Sequence, residues 1–210
     1  MQDMLDNGLL PNLSGIISKG FSSVLKTTPI WNSCCAWPSI STGVNPGKHS
    51  IYDFYRDFEG DGTYFRKPVD STHRRARTFW EYLSDCGFKV GLINLPITYP
   101  PTKLNGFMVT GMLTPHLNSV FTWPPNLSDE IREHFLNYRF DIRGGSRTMN
   151  KLELAEDAVN CIRERLKLSL YMINKFKDLD CLFVVFTSQE RALHFLIHSL
   201  DMGHPYTSLE

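Results

Sequence analysis

The chain has 210 residues, 42% of them hydrophobic, and its 22 Lys plus Arg balance 22 Asp plus Glu to a formal net charge of zero. That length can bury a substantial core, enough for one domain or one domain with a small subdomain. Neutrality excludes a protein that finds nucleic acid by bulk positive charge. One dense basic patch exists, at His73, Arg74, Arg75 and Arg77, and such a run is expected to be a solvated face.

The five cysteines, Cys34, Cys35, Cys86, Cys161 and Cys181, are odd in number and form no CxxC pair. A disulfide framework or a zinc ribbon is not expected; reduced, mostly buried thiols of a cytoplasmic protein are. No apolar run approaches the ~20 residues of a membrane span. Residues 1–6 are acidic and lack the basic and apolar stretches of a signal peptide, so no membrane partner is expected.

In chain order, 9–17 reads as a short helix with Pro11 in its first turn and Gly20 as its stop. Residues 21–26 read as a short strand, and 33–42 as a helix that tolerates Pro38. Residues 78–86 have helical spacing, with Gly87 placed to end the helix, and 88–94 and 107–110 are strand candidates. The longest helix is predicted over 152–176. Its apolar positions Leu152, Ala155, Val159, Ile162, Leu166, Leu170, Ile173 and Phe176 recur every three or four residues, the spacing of a helix. The unbroken apolar run 181–186 is predicted as a central parallel strand buried on both faces. The order points to an α/β fold with a parallel sheet. Two stretches, 55–77 and 113–150, lack a sustained period and read as lid-like insertions.

Two polar clusters follow predicted strands, where open parallel sheets bind ligands. The first centres on Ser33, at a helix start where unpaired N–H groups favour an alkoxide or a bound phosphate; the competing reading is that Ser33 is simply the helix N-cap. The second holds Glu190 and His194, four apart and so on one helical face. Carboxylate plus imidazole suits a zinc-like ion, and an ordinary surface Glu–His pair is the alternative.

In order along the chain, Leu10-Pro11-Asn12-Leu13, the run Thr42-Gly43-Val44-Asn45-Pro46-Gly47-Lys48-His49-Ser50-Ile51-Tyr52-Asp53-Phe54, and the segments 90–101 and 105–115 closely resemble the type I phosphodiesterase/nucleotide pyrophosphatase branch of the alkaline phosphatase superfamily. The segment 187–194 resembles that family's strand-end element, in which an Asp precedes a His by four places. The resemblance covers nearly the whole chain. It implies a three-layer α/β sandwich of the alkaline phosphatase kind and a divalent-metal site, usually two zinc ions. It also implies a Ser or Thr nucleophile that forms a covalent phospho-enzyme, released by metal-activated water. Carried over by position, the nucleophile falls on Ser33 and the metal ligands on Glu190 and His194. Asn45, Lys48 and His49 would border the substrate pocket, more as scaffold than as reactive groups.

The chain departs from the family pattern in three places. Only Asp3 and Asp6 precede the Leu-Pro-Asn-Leu segment, where the family has a strand ending in a metal-binding Asp. No Asp-His-Gly occurs, and Glu190 stands where the family has Asp. Cys35 also replaces a common Pro. The expectation is therefore a partial, truncated fold: a phosphate-ester hydrolase fragment inactive alone, or a catalytically dead binding or scaffold module. The partners expected are a small phosphate ester or nucleotide if the site is active, and a complementary segment or a second copy.

Overall fold

A computed structural model of the protein describes residues 2–60, 63–143 and 149–200. In chain order its elements are α1 (Gln2–Asp6), α2 (Pro11–Lys19), α3 (Ser33–Thr42), α4 (Pro46–His49), β1 (Tyr55–Gly60), β2 (Thr63–Pro68), α5 (Phe79–Asp85), β3 (Val90–Leu95), β4 (Gly106–Thr110), β5 (Thr122–Trp123), α6 (Leu127–His134), α7 (Lys151–Lys175), β6 (Cys181–Val184) and α8 (Ser188–Leu196).

Local chemistry sets most boundaries. Pro11 opens α2, where its missing N–H costs nothing, and Gly20 closes it. Asn150 and Glu153 cap α7 reciprocally: Asn150 Oδ1 accepts from Glu153 N at 2.9 Å, and Glu153 Oε2 accepts from Asn150 N at 3.0 Å. Thr78 and Glu81 form the same box on α5. Gly43, at φ 69°, ends α3 in the left-handed conformation that suits glycine.

The main sheet has the order β5-β4-β3-β6. Strands β4 and β6 run parallel to β3, and β5 runs antiparallel to β4. Alternate side chains separate two cores. On one face Ile93, Phe107 and Val109 pack against Leu127 and Ile131 of α6 and Leu168 and Met172 of α7. On the other, Val90, Leu92 and Met108 pack against Trp80 of α5, with Trp37 of α3 alongside. Helices thus cover both faces of a mixed sheet, a three-layer α/β sandwich. The stretch 55–77 contains the β1–β2 hairpin, and 113–150 contains β5 and α6.

Two expectations are corrected. Residues 21–26 form no strand: Phe21, Val24 and Leu25 are 94%, 94% and 86% exposed, and no neighbouring strand supplies ladder partners among the described residues. The 181–186 run forms β6 over its first four residues, half-buried and paired with β3 alone, so in the described sheet it is an edge and not a centre. The span of α7 matches the expectation, and its packing turns several of the recurring apolar positions outward. Leu152, Val159, Leu166, Leu170 and Ile173 are exposed, and the buried stripe includes Asp157, Arg165 and Ser169. Each polar member is engaged there. Asp157 accepts from Arg139 Nη1 at 2.8 Å and from Arg143 Nε at 2.7 Å, and Arg165 Nη2 donates to the carbonyls of Arg139 and Phe140. Burial opposes ionisation of Asp157, but the Arg143 backbone N–H and both guanidinium groups hold its carboxyl below the usual range.

The basic patch is not a uniform solvated face either. The Arg74 side chain is 7% exposed, 3.6 Å from Glu81 and stacked over Trp80, while His73 meets Asp70 and Arg77 lies over Tyr82.

Candidate active site

Because β3, β4 and β6 are parallel, their carboxyl ends share one edge of the sheet. Beyond that edge lies a cavity of about 280 Å³ lined by Ser33, Ala36, Trp37 and Ile40 of α3, Phe54, Met112, Val185, Phe186, Thr187, and Glu190, Arg191 and His194 of α8. A larger depression, about 460 Å³ near Asn137, Arg139 and Asn160, is lined by no serine, threonine, cysteine or histidine.

Ser33 occupies the first turn of α3, but it is not the cap. Asn32 is: its Oδ1 accepts from Cys34 N at 3.0 Å. The Ser33 hydroxyl makes no hydrogen bond among the described residues and remains exposed at the positive end of a ten-residue helix. Beneath it Cys34 and Cys35 are fully buried. Burial pushes both thiols up, away from the thiolate form, and Cys35 Sγ donates to the Tyr52 carbonyl at 3.0 Å. Cys35 N also donates to Asn32 O at 2.9 Å, a bond proline could not make.

Glu190 and His194 sit one turn apart on α8, with Glu190 Oε1 2.5 Å from His194 Nε2. Both are more than half exposed at the cavity rim. The turn that carries them is braced from below. Asn94, at φ 60° in the β3 bulge, donates from Nδ2 to Val185 O at 3.1 Å and to Thr187 Oγ1 at 3.3 Å. The backbone of Gly111 passes so close that a Cβ there would lie 2.5 Å from the Asn94 carbonyl. Arg191 Nε stands 3.0 Å from Asp141.

The structure thus brings Ser33 into one cavity with Glu190 and His194, a pair more than 150 residues away in the sequence. It does not bring Asn45, Lys48 or His49 to the cavity lining. Asn45 caps α4 through Lys48 N, and Lys48 is exposed. His49 is fully buried, its Nδ1 accepting from Ile51 N at 3.2 Å and its Nε2 3.0 Å from Ser39 Oγ. It ties α4 to α3, and burial, with Arg74 adding to it, lowers its pKa and keeps the ring neutral. Sequence reasoning placed Thr187 at the start of the second polar cluster without a role and missed Asn94, because only the sheet register brings their segments together.

As a metal centre, the donor chemistry of Glu190 and His194 suits zinc. The fit is nonetheless incomplete: no group of three or more His, Cys, Asp or Glu is placed to hold an ion among the described residues, and a zinc site takes at least three protein ligands. All five cysteines are free thiols, and no described helix is long and apolar enough to cross a membrane.

Comparison with known proteins gives one match. The family model for type I phosphodiesterase / nucleotide pyrophosphatase covers residues 1–209. Neither the curated proteins nor the solved structures yield a match. With the family match spanning almost the entire chain, the protein belongs to the type I phosphodiesterase/nucleotide pyrophosphatase family of hydrolases.

Proposed function

We propose that this chain carries the nucleophile side of a metal-dependent phosphate-ester hydrolase site, with Ser33 as the group that attacks phosphorus. The observation that carries the reading is the placement of an uncapped serine, at a helix N-terminus, in one cavity with a Glu–His pair. Helix amide groups favour a phosphate at that end and lower the cost of an alkoxide there. Attack by Ser33 Oγ on a phosphodiester would break the bond to one ester alcohol, which leaves with the serine proton, and form a seryl phosphodiester; water then hydrolyses that to a phosphate monoester and free Ser33. Trp37, Phe54 and Phe186 give the cavity aromatic walls, which suit an ester carrying an aromatic or nucleobase group.

Glu190 and His194 would supply two donors to a divalent ion, which clamps oxygens and activates water when bound. Two donors do not complete such a site, so we propose that the described residues alone do not sustain turnover, and that further ligands come from outside them.

The test is to titrate the purified chain with zinc and manganese and to assay hydrolysis of bis(4-nitrophenyl) phosphate. Weak metal uptake, lost in His194→Ala, with no turnover is the expected result. Turnover that disappears in Ser33→Ala would overturn the incompleteness. Stable folding with no metal uptake would replace the hydrolase reading by a binding or scaffold module of the same fold.

A further inference from the structure

Thr187 stands at the carboxyl end of β6, immediately before α8, and lines the cavity while only 7% exposed. Its Oγ1 has two hydrogen-bonding neighbours, Asn94 Nδ2 and Arg165 Nη1, each at 3.3 Å. Both are donors. A guanidinium has no acceptor atom. The Asn94 orientation is fixed by its second contact, since the same nitrogen faces the Val185 carbonyl at 3.1 Å, which can only accept. The Thr187 oxygen therefore receives two hydrogen bonds, which occupy both of its lone pairs. Its own proton must be donated, and no acceptor for it exists among the described residues.

A hydroxyl in this state is a committed donor. A buried polar hydrogen without a partner costs free energy, and the cavity that Thr187 lines is the one that Ser33 of α3 also lines. Thr187 occupies the N-cap position of α8 without bonding its side chain to the helix amides, so those amides share the unmet demand for an acceptor. An oxyanion satisfies both. A neutral apolar ligand satisfies neither.

From these contacts we infer that Thr187 is a binding residue for a phosphoryl oxygen, donating its hydroxyl proton to the anion, with Asn94 and Arg165 fixing the direction of donation. This rests on the phosphate-ester reading of the cavity and adds to it a second anion contact, from a residue of the β6–α8 turn. Arg165 is a positioning residue: it reaches from the middle of α7 to the turn, fully buried, and acts through Thr187.

The test uses the full chain and inorganic phosphate as probe, followed by titration calorimetry with and without added zinc. Thr187→Val keeps the shape and removes the hydroxyl, and it is expected to weaken phosphate binding at least tenfold. Thr187→Ser restores the donor and is expected to bind within threefold of the unmutated chain. Since Thr187→Val strands two buried donors and can lower stability, a second measurement needs no variant: the Thr187 hydroxyl proton is followed by NMR in the unmutated chain and is expected to move downfield as phosphate is added. Equal phosphate affinity in Thr187→Val, or an unmoved hydroxyl resonance in a chain that binds phosphate, overturns the assignment to Thr187 and leaves the hydrolase reading standing. No phosphate uptake by the unmutated chain, with or without zinc, overturns both.

Discussion

Asn32 Oδ1 accepts the backbone N–H of Cys34 at 3.0 Å, so the cap of α3 is the residue before Ser33. Asn32 thus caps the helix, and the neighbouring Ser33 hydroxyl, the proposed nucleophile, is left without a capping role. Asn32→Ala is expected to cost about 1 kcal/mol of stability, the usual value of a lost cap. Ser33→Ala is expected to change stability by less than about 0.5 kcal/mol, as an exposed, unbonded hydroxyl should. Urea unfolding of the two variants checks this, and an equal loss in both would return Ser33 to the cap.

Metal uptake should report on both rim residues. His194→Ala and Glu190→Gln each remove one of two donors and are expected to reduce zinc affinity at least tenfold by titration at neutral pH. Cys34→Ser should leave zinc affinity unchanged, because burial disfavours the thiolate a metal would need.

His49 links the fold to pH. Burial holds its folded pKa below the ordinary histidine value of about 6.5, so the unfolded chain takes up the proton first as pH falls. The stability associated with the neutral ring is complete above pH 6.5 and is lost as pH drops from there toward the folded pKa. His49→Gln should flatten that part of the stability profile, measured by urea unfolding at several pH values between 5 and 8. An unchanged slope would mean that another group sets it.

Gly111 is fixed by its neighbour across the β3 bulge. A methyl group there would lie 2.5 Å from the backbone carbon and oxygen of Asn94, atoms that cannot turn aside as a side-chain end can. Gly111→Ala is expected to destabilise the chain by about 2–3 kcal/mol and to weaken phosphate binding by disturbing the brace on Thr187. Thermal unfolding and calorimetry on the same variant separate the two effects.

Helix spans were legible where local chemistry decides them. The extent of α3 and α7 follows from Asn32, Gly43 and the Asn150–Glu153 box, and strands β3 and β4 follow from short apolar runs. Burial was less legible, since periodicity locates an apolar stripe but not the face that meets the core. In α7 the buried face is the one on which Asp157 is held by Arg139 and Arg143, and Arg165 bonds the carbonyls of Arg139 and Phe140 and the Thr187 hydroxyl. A charge with fixed partners is buried at lower cost than its type alone predicts.

By itself the sequence determined the family and the candidate residues Ser33, Glu190 and His194, through motifs that are contiguous in the chain. Only the tertiary structure decided that these three share a cavity while Asn45, Lys48 and His49 stay outside its lining, with His49 tying α4 to α3. It also decided that Thr187 has a proton left to give. The physical reason is that a hydrogen bond between segments some 90 residues apart, as between Asn94 and Thr187, depends on the register of β6 against β3. No local pattern in either segment encodes that register.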